Sequence, residues 1–208
     1  VHDGTAAPHR HRRCVPAAGP EGNEHLTAMT GAVLLIGFAV EGATILELHR
    51  LLWLHFAVGF LLIGPVLLKI GSTMYRFIRY YARSQPYLRK GPPAPLLRLL
   101  GPLVVLTSLA VLATGVVLAV VGPGSGSWLF LHKASFVLWF GVMTVHVVAY
   151  APRLPRLLTP SRARGPVPAR APGAVARYLA LSGALAGGIA VAALASHLSS
   201  QWNGGFFH

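Results

Sequence analysis

Long apolar blocks alternate along this chain with short joints rich in proline and arginine. Five blocks stand out: Leu26–Leu46, Leu51–Gly71, Leu99–Val121, Trp128–Tyr150 and Tyr178–His197. Each approaches or exceeds the roughly 20 residues that a helix needs to cross the hydrocarbon core. The pattern predicts an all-α integral membrane bundle of five transmembrane helices. Four of them, within residues 25–150, form its core. The joint between the first two blocks is so short that they must pair as a tight antiparallel hairpin.

Local signals set the expected boundaries. Asn23 or Thr27 is placed to cap the first helix. The second continues as STMYRFIRYYAR, with its tyrosines at headgroup level, until Pro86 and Gly91–Pro95 end it. Gly122–Ser127 reads as a tight turn, residues 151–174 as a Pro/Arg linker, and residues 175–208 as the last helix and its tail. Gly64 and Pro65 fall in mid-span and should bend the second helix and free a carbonyl. Gly183-x-x-x-Gly187 should let the fifth helix pack closely on the chain's own bundle.

Composition agrees with a membrane domain: 54% of the 208 residues are apolar and 11% charged, and the mean hydropathy is +0.59. A formal charge of +13 would suggest nucleic acid in a soluble protein. Here the arginines alternate with the spans. Arg10, Arg12 and Arg13 precede the first span; Arg76, Arg79, Arg83, Arg89, Lys90 and Arg98 follow the second; Arg153 to Arg177 follow the fourth. The opposite joints carry only Arg50. By the positive-inside rule the N-terminus is cytoplasmic and the C-terminus external, and the basic joints attract anionic lipid rather than nucleic acid. The preponderance of arginine over lysine points to a GC-rich genome and a bacterial plasma membrane. Residues 1–24 read as a disordered tail, whose His2, His9, His11 and Cys14 are solvated rather than gathered on a metal.

The second and fourth spans carry polar residues at matched spacing. His55 and Lys69 are fourteen positions apart, and so are His132 and His146. Fourteen helical steps return to within roughly 40° of the starting direction and climb about 21 Å. Each pair therefore lies on one helix face at two depths, and the two spans run in the same direction. His55 and His132 match in depth near the external side, where two neutral imidazoles facing one another suit the axial bonds of a haem iron. Gly59 and Gly115 come to that level without a side chain to obstruct a porphyrin. Glu41 is placed to accept a hydrogen bond from an axial histidine. Arg50 and Lys133 are placed to pair with propionates, and Phe56, Phe136 and Trp139 to pack on the ring. Lys69 and His146 match at the cytoplasmic side. There the alternatives are a second haem, a quinone or other polar pocket, or structural hydrogen bonding. His49, six residues before His55, points elsewhere on a continuous helix; an external cluster of His49, His197 and His208 is the remaining candidate for metal.

His55 of span two and His132/His146 of span four resemble the haem-binding helices of b-type membrane cytochromes, of the cytochrome b561-like and respiratory cytochrome b kinds. The resemblance implies haem b held between helices; Lys69 stands where those families would have a fourth histidine. The runs HLTAMTGAVLLIGFAVEG, LLIGPVLLKIGSTMYRFIRYY and LHKASFVLWFGVMTVHVVAY also resemble an uncharacterised family of actinobacterial membrane proteins, over roughly residues 23–152. That second likeness implies a location and no activity.

The function expected from these residues is single-electron transfer in the membrane by a b-type cytochrome. It would exchange electrons with quinol or a redox partner subunit, because no Gly-rich nucleotide turn or soluble domain offers a catalytic site of its own. The alternative is a haem-free membrane binding or assembly protein built around Lys69, His146 and Glu41. A transporter ranks below both, since five spans do not divide into two inverted repeats.

Overall fold

The computed structural model describes residues 20–88, 95–151 and 173–202. Its elements are α1 (Pro20–Leu46), α2 (Leu48–Tyr81), the single turn α3 (Gln85–Leu88), α4 (Pro95–Val121), α5 (Gly126–Tyr150) and α6 (Ala174–Ala195), which runs into a 3-10 helix at Ser196–Trp202. Five of these helices are long and apolar enough to cross a membrane. Large apolar side chains such as Ile36, Leu106, Val137 and Leu194 cover the outside, which suits lipid rather than water as surroundings.

Two antiparallel hairpins form the core. In the first, α1 and α2 are joined through Glu47, and their register can be followed from end to end. Asn23 Nδ2 donates to the Ser72 carbonyl at 2.9 Å, and Glu24 faces Arg76 at 3.8 Å. Gly31 lies under the Lys69 ammonium, and Gly37 under the Leu62 side chain. Thr44 reaches His55. In the second hairpin the turn after α4 uses Gly122 at φ 81°. The buried Trp139 indole of α5 donates to Ser108 of α4 at 3.0 Å. The hairpins meet along α2 and α4, where Leu34, Leu62 and Val66 pack with Leu112, and Leu52 and Leu118 pack with Trp202. An edge contact between Phe38 and Trp139, 4.7 Å between centroids, joins α1 to α5. With α2 antiparallel to α4, α2 and α5 run in the same direction, as the sequence predicts.

Helix α6 packs chiefly on α2, and the crossing is backbone to backbone. A Cβ on Gly64 would collide with the Ala184 carbonyl, and one on Gly188 with the Leu61 carbonyl. The hydrogens that occupy those directions point at the two oxygens, a reciprocal pair of Cα–H···O contacts. Leu61 is the residue whose carbonyl Pro65 cannot serve, for want of an N–H. The freed acceptor foreseen at Gly64-Pro65 thus faces the neighbouring helix, as the membrane requires of an open backbone group.

Four local expectations are corrected. Helix α1 starts at Pro20, so Asn23 and Thr27 lie inside it; both bond across to Ser72 instead of capping. Helix α2 keeps helical dihedrals through Pro65, and its departure is at Leu51 (φ −106°, ψ 16°), next to the hairpin turn. It ends at Tyr81, where Arg83 takes the left-handed conformation (φ 55°), and Pro86 belongs to α3. There Tyr87 folds back, buried, under Arg79, and burial raises its phenol above the usual range. Finally, Gly183 and Gly187 meet nothing within 4 Å. The contact with α2 is made one residue on, by Ala184 and Gly188, because one step turns a helix by about 100°. The tail before Pro20, with its His2, His9, His11 and Cys14, and the linker at 152–172 lie outside the described residues.

Candidate functional site

The polar residues of α2 and α5 face inward at two levels. At the first, the His55 and His132 rings approach with centroids 6.5 Å apart and planes inclined at 73°. Each ring is held by the other helix of its own hairpin. His55 Nδ1 lies 3.0 Å from Glu41 Oε1 and 3.0 Å from Thr44 Oγ1. The Thr44 hydroxyl donates its proton to the Glu41 main-chain carbonyl at 2.6 Å. Both neighbours offer an oxygen to His55 Nδ1, an arrangement that suits a neutral ring protonated there.

His132 is arranged in the same way from the other side. Its Nδ1 is 3.2 Å from Thr114 Oγ1, whose proton goes to the Ala110 carbonyl at 2.8 Å. Ser135 buttresses that hydroxyl at 2.9 Å. The surroundings again suit a proton on Nδ1. With the proton there, Nε2 carries the open lone pair, the form in which imidazole binds a metal.

Both predicted glycines belong to this level. A Cβ on Gly115 would stand 3.0 Å from His132 Cε1, and one on Gly59 3.2 Å from Glu41 Oε1. The absent side chains make room for the site's own ring and carboxylate. The second oxygen of Glu41, Oε2, is buried and meets no donor among the described residues. Arg50 and Lys133 are exposed, Arg50 in the first turn of α2 and Lys133 about two turns into α5, toward the bundle end nearest this level. Of the predicted aromatic neighbours, Phe56 packs with Phe60 and Trp202, and Phe136 with Trp139 and Phe140. Trp139 lies midway along α5 between His132 and His146 and packs against Phe38 of α1.

The second level is Lys69 and His146. The Lys69 ammonium donates to the Thr27 carbonyl and lies 2.9 Å from where a Cβ of Gly31 would be. His146 packs on Tyr150, with ring centroids 4.7 Å apart. Its Nδ1 is buried without a partner among the described residues. His49 lies outside both levels, exposed beside Glu47 at 3.9 Å. His197 is exposed and bonds the Leu194 carbonyl, and His208 lies outside the described residues.

Sequence reasoning found both histidines and Glu41, and missed Thr44, Thr114 and Ser135. A threonine or serine in a helix ordinarily bonds its own preceding turn. Its second role shows only once the facing ring is in place. The depth count that selected Glu41 would have admitted Thr44, three residues nearer the hairpin turn.

The residues present fit a bis-imidazole metal site. Two imidazoles bonded at about 2 Å on opposite sides of one metal would have centroids about 6.3 Å apart, close to the 6.5 Å between His55 and His132. Among the described residues no group of three or more His, Cys, Asp or Glu could hold a metal ion. Comparison with protein-family models, curated proteins and solved structures finds no match for this chain.

Proposed function

We propose that this chain is a b-type haem protein of a bacterial plasma membrane, carrying single electrons through the axial histidines His55 and His132. The observation that carries the reading is the ring pair at 6.5 Å, with each Nδ1 bound from within its own hairpin.

When bound, haem supplies reversible one-electron exchange at its iron. The chain supplies the rest. His55 and His132 would hold the haem, each through Nε2. Thr44, Glu41 and Thr114 keep the protons on Nδ1, and the Glu41 carboxylate strengthens its ring as a donor. Gly115 lets His132 lie flat against α4. Arg50 and Lys133 offer positive charge at the adjacent end of the bundle for propionates, on the external side if the arginine pattern sets the orientation. Substrate chemistry would belong to a partner subunit.

The test is purification after expression with abundant haem. A pyridine haemochrome assay is expected to give about one haem per chain, with sharp α and Soret bands in the reduced-minus-oxidised spectrum. A folded, colourless protein overturns the proposal.

A further inference from the structure

Helix α2 is longer than a bilayer requires. Its 34 residues extend about 51 Å, against roughly 30 Å of hydrocarbon, so its last turns stand among the headgroups and beyond. On those turns Met74, Phe77, Ile78 and Tyr81 recur at helical spacing and are all exposed, a single apolar strip. The opposite side carries Arg76 and Arg79 and is turned toward α1, where Glu24 faces Arg76 at 3.8 Å. A basic amphipathic segment of this kind lies in the interface, its apolar strip toward the acyl chains and its cations among the headgroups.

The chain then reverses on Arg83. The Ser84 N–H donates to the Arg79 carbonyl and the Arg83 N–H to that of Tyr80, each at 3.1 Å, the paired bonds that close a helix through a left-handed residue. That residue is ordinarily glycine. Here it is an arginine at φ 55°, and among the described residues no other non-glycine has a positive φ. Arg83 is exposed, and its guanidinium bonds nothing among the described residues. Arg79 is tied to the same turn: its Nη2 donates to Ser84 Oγ at 3.1 Å, and its guanidinium lies over the buried Tyr87 ring, 5.9 Å from the centroid.

We infer that this turn is a binding site for the phosphate of an anionic phospholipid, held by Arg79 and Arg83. Guanidinium groups take phosphate oxygens in pairs, and Ser84 directs Arg79 while leaving most of its N–H donors open. The carboxylate pairs among the described residues involve His49, His55 and Arg76, so neither Arg79 nor Arg83 is neutralised by them. The apolar strip decides between a lipid and free phosphate: Phe77, Ile78 and Tyr81 call for acyl chains at the same end of α2 where the two guanidinium groups call for an anion. The site differs from the diffuse attraction of basic joints for anionic lipid, because bonded contacts persist when salt has screened the longer-range field. It requires a bilayer and makes no use of haem.

Native mass spectrometry of the full chain, released from neutral detergent at raised ammonium acetate, tests the site with phosphatidylglycerol and phosphatidylcholine as probes. Phosphatidylglycerol is expected to give one retained adduct per chain, about tenfold or more in excess of phosphatidylcholine, and added inorganic phosphate is expected to leave it in place. Arg83→Gly removes the guanidinium and relieves the left-handed backbone. The variant is therefore expected to fold with an undiminished melting temperature and to retain phosphatidylglycerol about tenfold less well. Arg79→Gln is expected to weaken retention to a similar degree; circular dichroism and gel filtration establish that both variants are folded. The inference is overturned if the two lipids are retained alike, if inorganic phosphate displaces the adduct, or if folded Arg83→Gly keeps it as the parent chain does.

Discussion

At the level of His55 and His132, the facing helices α1 and α4 each bring a threonine hydroxyl to the imidazole opposite. Fourteen residues along α2 and α5, at Lys69 and His146, α1 brings a main-chain carbonyl and a glycine, and His146 Nδ1 is left alone. The spacing within α2 and α5 is identical at the two levels, so spacing decides only face and depth. The chemistry is decided by what the partner helices present. An imidazole whose Nδ1 already has an oxygen partner keeps Nε2 for a further bond; at the other level Lys69 keeps hydrogens to spare and His146 Nδ1 has no partner among the described residues.

The sharpest way to break this comparison is to remove one ring at a time. His55→Ala or His132→Ala is expected to abolish the α and Soret bands, while His146→Ala leaves them in place; loss of colour in all three would mean that the two levels form one site. Next in size are the residues behind the rings. Glu41→Gln, Thr44→Val and Thr114→Val are each expected to weaken haem retention by about ten- to a hundredfold, read by titration of the apoprotein with haem. Lys69→Met, tested in parallel, is expected to leave it unchanged.

The glycines separate the levels more finely. Gly115→Ala puts a methyl 3.0 Å from a ring carbon. Because that ring is pinned by Thr114, the substitution is expected to lower haem affinity about tenfold, a cost within the usual range for an overfilled core. Gly31→Ala meets only the tip of a flexible lysine. It is expected to change stability by no more than about 0.5 kcal/mol, measured by thermal unfolding in detergent. Equal effects at the two positions would refute the claim that only the histidine level is rigid.

Much of this was legible in the sequence. Hydropathy located the five helices, because a span is a property of composition over some twenty residues. The short joint at Glu47 fixed the hairpin and hence the pairing of Glu41 with His55. Which small residue of α6 meets α2 was not legible. Gly183 and Gly187 carry the stronger motif, but Ala184 and Gly188 are the ones turned toward Pro65. That rotation is set by tertiary packing, to which a motif one step away is blind. The break at Leu51 was missed for a related reason: Pro65 looks like the weak point of α2, yet its neighbour across the crossing accommodates it.

The contact between Gly188 and the Leu61 carbonyl also bears on biogenesis. Helix α2 enters the bilayer with a gap in its own hydrogen bonding that α6, far later in the chain, covers. The α1–α2 hairpin is therefore incomplete until α6 has been made. A chain that stops before Ala174 is expected to be handled by the cell as an unfinished protein, however apolar its first four spans are, and to be cleared by membrane proteases.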